Sequence, residues 1–345
     1  MKPYLYLLAF ALVACHNSSE EKESVKEELT NYVNPFIGTD GTGNTYPGAM
    51  TPFGMVQLSP DIGIPGWDRI SGYFYPDSII TGFSHTHLSG TGAGDLYDVL
   101  IMPTNSRFNE RIEANNRLPF SYFSHKHETA TAGYYSVDLL SYGIKAELTA
   151  TPHVGVQRYT FPKDEQSKIT VDLGYSINWD KPTETYLKVV DNTTLEGYRF
   201  STGWARNQKV YFVIKLSKPF VDKEFTEEKE NGKANRSKMV LRYATTDNET
   251  IVVKTALSMH SIAGAYKNME DEAPNFGFED YREAARNLWE RQLQKITVEG
   301  GTEEQKIIFY TMLYQSMLAP NLFSDADAPE KRYDTFSLWD TFGTA

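Results

Sequence analysis

The run Val210-Tyr211-Phe212-Val213-Ile214-Lys215-Leu216 decides the fold class. Its β-branched and aromatic side chains follow a period of two, which is the pattern of a strand and not of a helix. Further runs of this kind lie on either side of it: Gly133–Leu140, Ile144–Thr151, Val154–Phe161, Lys168–Leu173, Met239–Tyr243 and Ile251–Met259. Gly, Pro, Asn and Asp punctuate them, and no long helical pattern separates one from the next. A βαβ arrangement is therefore disfavoured. The expectation is a mainly β chain, with one large antiparallel β-sandwich over residues 31–265.

Downstream the character changes. Tyr281, Ala284, Ala285, Leu288, Trp289, Leu293 and Ile296 recur at helical spacing, with charges on the opposite face. Gly300-Gly301 ends that segment. Thr302-Glu303-Glu304-Gln305 then reads as a capping box, in which Gln305 reaches back to the cap amide. The next helix, about Glu303 to Leu318, is apolar almost all round and calls for burial by other helices. Residues 266–300 are thus expected to form a linker helix and residues 301–345 the start of a helical domain.

Upstream, Lys2 precedes the apolar run Tyr4–Ala14, which is too short to span a bilayer and matches a secretory signal. It closes on Leu12-Val13-Ala14-Cys15, and Cys15 is the single cysteine of the chain. This pattern resembles a bacterial lipobox, so residues 1–15 are expected to be a lipoprotein signal with acylation at Cys15. Residues 16–30 are polar and charge-rich, the composition of a solvated tether. The expected location is that of an exported lipoprotein, in the periplasm or at the outer membrane or cell surface, held to the membrane through Cys15.

Composition bounds the partners. The 345 residues carry 34 Lys+Arg against 45 Asp+Glu, a net charge of -11, with no basic stripe. Nucleic acid is therefore not an expected partner, since phosphate binding is driven by clustered Lys and Arg. Aromatic residues reach 13%, which suits sugar-stacking clefts and large β-cores alike.

The densest polar and glycine-rich region lies between Asn34 and Asp98. It includes Gly38–Gly48, Gly66-Trp67-Asp68 and Gly82–Asp95. Glycines this frequent allow left-handed backbone and close approach, so these are either ligand-lining loops or the long turns of a sandwich. His85 and His87 would share one face of an extended strand; no further ligand appears at a recognisable metal spacing, which favours a structural or hydrogen-bonding role. Asp95 and Asp98 are a candidate carboxylate pair, although spacing alone does not establish a glycosidase separation. His125 and His127 read as surface. The chain holds no Gly-x-Ser-x-Gly elbow, Walker loop or His-Glu-x-x-His.

Several ordered motifs resemble family 92 of the glycoside hydrolases. They are Val33–Thr39, Tyr46–Ala49, Pro52–Asp61, Gly82–Gly90, Pro320–Asp325 and Ser337-Leu338-Trp339-Asp340-Thr341-Phe342. The resemblance implies a calcium-dependent, inverting exo-α-mannosidase acting on mannose-containing glycans. It also implies a β-sandwich, linking helices and an (α/α)6 barrel, with the active site between the domains. On that footing Trp67, Asp68, His85 and His87 become substrate-pocket residues, and Trp339 and Asp340 help to hold the terminal mannose. The family usually continues after its Trp-Asp-Thr-Phe motif with an arginine and several hundred residues. Its general acid, general base and most Ca2+ ligands belong to that part, so the resemblance implies that the 345-residue chain is inactive by itself. Two other readings stay open: a non-catalytic surface glycan-binding lipoprotein, and a mutarotase-like sugar epimerase working through His87.

Overall fold

The computed structural model describes residues 27–107, 110–113 and 116–334. The expected signal with Cys15, most of the expected tether, and Trp339 and Asp340 lie outside the described residues.

Two antiparallel sheets face one another. The first has six strands in the order Ser59–Asp61, Gly82–Ser84, Leu100–Thr104, Asp164–Asp172, Lys233–Thr245 and Asp222–Glu230. The second has eight, in the order Lys181–Asp191, Thr194–Thr202, Gln208–Leu216, Glu249–Ser258, Val154–Phe161, Ile144–Ala150, Tyr134–Leu139 and Glu128–Thr131. Ile101, Ile169, Val171 and Leu241 from the first sheet meet Leu148, Tyr159, Phe212, Ile214 and Val253 from the second in one buried core. The chain is thus mainly β, as its runs of β-branched and aromatic residues indicated.

The eight-stranded sheet is covered on its outer face as well. Helix α1 (Ile262–Glu272) and the start of α2 (Phe278–Leu293) lay Ala265, Met269, Phe278 and Tyr281 over Val154, Val156, Val213, Val252 and Ala256. Phe212 and Ile214 therefore point inward while Val213 points to the helices, and neither face of this strand needs to be polar. The linker is two helices where one was expected, because Pro274 and Gly277 fall between them and neither supports a continuous helical ladder.

Helix α3 (Glu303–Gln315) begins with the capping box read from the sequence. Thr302 N donates to Gln305 Oε1 at 2.9 Å, and Gln305 N donates to Thr302 Oγ1 at 3.2 Å. Its Tyr310 and Tyr314 join Trp289 of α2 in a second core with Leu29, Tyr32, Tyr46 and Met50. The packed body already begins at Leu29, inside the stretch whose composition suggested a tether. Leu29 N and Thr30 N both donate to the Glu290 carboxylate there, at 3.1 and 3.0 Å. Ile308 and Met312 on the other side of α3 remain exposed. At the far edge of the six-stranded sheet, Asp222–Glu230 is exposed along its whole length and mostly charged, a composition that discourages edge-to-edge pairing.

Candidate functional site

The glycine-rich region of the sequence becomes a set of loops at one end of the sandwich. Three residues at its C-terminal edge, Leu96, Tyr97 and Val99, have φ of 84°, 63° and 57°. This left-handed region disfavours side chains, and most of all a β-branched one such as Val99. What holds the segment is a buried ionic hub centred on Arg199, whose side chain is wholly inaccessible. Arg199 Nη1 donates to Asp98 Oδ1 at 2.7 Å, Nη2 pairs with Asp180, and Nε and Nη2 donate to the carbonyls of Leu173 and Tyr175. Asp98 also accepts from Thr86 Oγ1 and Gln208 Nε2 through its second oxygen. Asp95 accepts from Ala205 N at 2.8 Å.

Two carboxylates, Asp98 and Asp180, thus pair with one guanidinium, and Asp95 feels its charge without bonding it. Burial pushes Asp180 up to about 7 against the pull of Arg199, with Asp98 and Asp95 adding to the rise. Burial likewise raises Asp95. Burial opposes the charge of Arg199, but Asp180 and Asp98 more than offset it and hold the guanidinium firmly protonated.

The hub ties together loops that present tryptophans. Trp67 opens the short turn Trp67–Arg69 and is 61% exposed, with its indole edge over Gly92. Gly66 N donates to Asn178 Oδ1, and Trp179 N donates to the Gly94 carbonyl. Two glycines here are dictated by contact. A Cβ on Gly203 would lie 2.1 Å from Asp95 Oδ1, and one on Gly94 would lie 2.6 Å from Asn178 Cβ. Asp68 is partly open and pairs with Arg69 at 2.8 Å, while Arg69 engages Asp77 with two further bonds.

Sequence-predicted residues divide in two. Trp67 and Asp68 stand at the surface of these loops. His85 and His87 lie inside, at 0% and 1% exposure, where the resemblance had suggested an open pocket. His85 Nδ1–H donates to the Val99 carbonyl at 2.7 Å and its Nε2 accepts from Gln157 Nε2 at 3.0 Å. Burial holds this imidazole neutral, down at about 4. His87 Nδ1–H donates to the Gln57 carbonyl at 2.8 Å, and its Nε2 faces Ser84 Oγ and Asp61. Both rings, as placed, hold the strained segment and its neighbours together. The alternation that put them on one face was real, but the face is an interior one.

Asp95 and Asp98 are likewise interior partners of the hub, not a carboxylate pair facing a cleft. His125 stacks on Tyr75 at 3.9 Å and donates to Glu128, at the periphery as expected. Among the described residues no group of three or more His, Cys, Asp or Glu is placed to hold a metal ion. Sequence reasoning passed over Trp179 and Trp204, which are 45% and 60% exposed. Trp179-Asp180 and Gly203-Trp204 each share part of the turn composition of Gly66-Trp67-Asp68, but nothing in either stretch signals that the two loops meet.

Comparison with known proteins follows these features. Residues 32–258 match the glycosyl hydrolase family 92 N-terminal domain, and residues 264–345 match the family 92 catalytic domain. A family 92 α-mannosidase of Bacteroides thetaiotaomicron, solved with mannoimidazole, is 34% identical with a TM-score of 0.80; the match covers 92% of this chain and 45% of that one. A family 92 inverting mannosidase of the same organism is 28% identical with a TM-score of 0.76, covering 91% and 45%. An uncharacterized secreted glycosidase of Arthroderma benhamiae is 25% identical over 365 residues, covering 91% of this chain and 45% of that protein. The chain therefore spans about 45% of the length of these relatives. Its sandwich, its helices and its motifs agree on one assignment: the chain belongs to glycosyl hydrolase family 92.

Proposed function

We propose that this chain supplies the sandwich-side wall of an exported, inverting, calcium-dependent exo-α-mannosidase that is anchored to the membrane through acylated Cys15. The support is family membership, two similar proteins named as mannosidases, one of them inverting, and one named as secreted. The observation that carries the reading is Trp67, an indole more than half exposed on a loop whose backbone is fixed from behind by the Asn178 side-chain amide. An indole gives a flat apolar platform for a pyranose face, and the adjoining Asp68 carboxylate can accept hydroxyl hydrogen bonds. Trp339 and Asp340 are proposed to add a second such pair against the terminal mannose. His85 and His87 act through the loops they hold.

An inverting glycosidase needs one carboxylic acid to protonate the leaving oxygen and a second carboxylate to activate water across the ring. No described carboxylate is assigned either role: Asp98 and Asp180 are paired with Arg199, and Asp95 is bonded to the Ala205 amide. These residues do not fit a calcium site either, because the guanidinium already occupies the position a cation would take. No step is therefore routed through the metal. What the described residues do is orient sugar: the hub fixes the loop, and the loop fixes the tryptophan.

The test is release of mannose from α-mannosides by the protein expressed at the full extent of its reading frame, with the product anomer followed by NMR. Release of β-mannose, with a several-fold lower kcat/KM in Trp67→Ala, is expected. Binding of mannosides without any turnover would favour the glycan-binding reading instead.

A further inference from the structure

Trp179 and Trp204 lie on separate loops yet stack on one another, with ring centroids 6.1 Å apart and planes 23° from parallel. Together with Asn178, Lys181 and Gly203 they line an open depression of about 460 Å³. Large aromatic surface left in water is unfavourable, and contiguous exposed patches of it mark recognition sites. Here the exposure is built in. Trp179 is fixed by its amide bond to the Gly94 carbonyl and by the ion pair of the adjacent Asp180 with Arg199. Trp204 is fixed between Gly203, pressed against Asp95, and Ala205, whose amide donates to that same carboxylate. Both indoles are thus presented on backbone that cannot collapse inward, so little ordering entropy is lost when a ligand settles on them.

We propose that the Trp179–Trp204 pair is a pyranose-binding platform that takes the C–H face of a mannosyl residue in a glycan. This rests on the mannoside reading above and extends it to a site not anticipated by the sequence. Two near-parallel, stacked indoles that both remain partly open to water leave apolar ring surface on which a sugar ring can pack. Lys181, exposed at the rim, supplies a hydrogen-bond donor for ring hydroxyls, which an apolar chain would leave unused. The platform also joins the Trp67 loop directly, since Asn178 Oδ1 accepts from Gly66 N. One glycan could therefore lie across both.

The experiment is titration of the full 345-residue chain with methyl α-mannoside and with α-mannobiose, read by tryptophan fluorescence and calorimetry. Trp179→Ala and Trp204→Ala should each weaken α-mannobiose binding about tenfold, the size expected for loss of one stacking partner. Trp204→Phe should recover part of the loss. Because both side chains are exposed, the urea midpoints of these variants should equal that of the parent. Unchanged α-mannobiose affinity in the double variant would overturn the platform, while leaving the mannosidase reading to be judged by mannose release. Loss of binding only in Trp67→Ala would do the same. Absence of any sugar binding by the parent chain would also overturn it.

Discussion

Asp98 and Arg199 form an ion pair of 2.7 Å in which both side chains are wholly shielded from water. Arg199 lies in the strand Thr194–Thr202 of the eight-stranded sheet, and Asp98 lies in the loop two residues before Leu100–Thr104 of the six-stranded sheet. The pair therefore fastens the sandwich halves at the end where the tryptophan loops emerge.

Replacing Arg199 with Met would remove the guanidinium and leave Asp98 and Asp180 buried without a counter-charge. Loss of one partner of a buried ion pair costs about 3–5 kcal/mol. Urea unfolding of Arg199→Met should show a destabilisation of that order, partly relieved in the double variant with Asp180→Asn. An Arg199→Met chain as stable as its parent would mean that the hub does not hold the fold.

A second buried group sets a pH dependence. His153 Nδ1 lies 2.5 Å from Glu272 Oε1 and its Nε2 lies 2.9 Å from the Ser324 carbonyl. Both partners are acceptors, so both nitrogens carry protons. Burial opposes this charge, but the hydrogen bond and charge of Glu272 overcome it and raise the imidazole above its ordinary value. The stabilisation is fully present below the unfolded value of about 6.5 and fades as pH rises through the higher folded value. Stability measured by urea from pH 5.5 to 9 should fall across that window in the parent and stay flatter in His153→Gln. Parallel curves for the two proteins would refute the assignment.

The join between helices and sandwich depends on Trp289. Its Nε1–H donates to the Met50 carbonyl at 2.7 Å and its ring packs on Tyr314 at 4.4 Å. Trp289→Ala should cost about 3–5 kcal/mol, as expected for emptying a fully buried aromatic site. Trp289→Phe keeps most of the packing and should cost less, about 1–3 kcal/mol for the orphaned carbonyl and lost volume. Equal costs in denaturant unfolding would contradict a packing role for the ring.

How much of this was legible depended on how local the signal was. The capping box at Thr302 could be read because its four residues satisfy one another. The strand Val154–Phe161 could be read because its own side chains make the core on one face and the helix contact on the other. The strand Asp222–Glu230 could not: its residues are nearly all charged, and only pairing with Lys233–Thr245 makes it extended. Arg199 was illegible for a similar reason. An arginine alternating with Tyr198 and Phe200 reads as the solvent face of a strand, and the partners that bury it lie 19 to 101 residues away. His85 and His87 show the intermediate case, in which the shared face was readable and its burial was not. Trp67 was legible through its turn composition, whereas Trp179 and Trp204 acquire meaning only once two loops bring them together.

The left-handed segment at Leu96–Val99 also fixes an order of events in time. It cannot keep its shape alone, and the arginine that steadies it lies 101 residues further along the chain. Closing so long a loop is entropically slow and must wait for strands of both sheets to pair. A chain caught partway would have native strands and disordered tryptophan loops. The shape of the tryptophan loops is thus a long-range property of the sandwich, set by a contact between residues 101 positions apart.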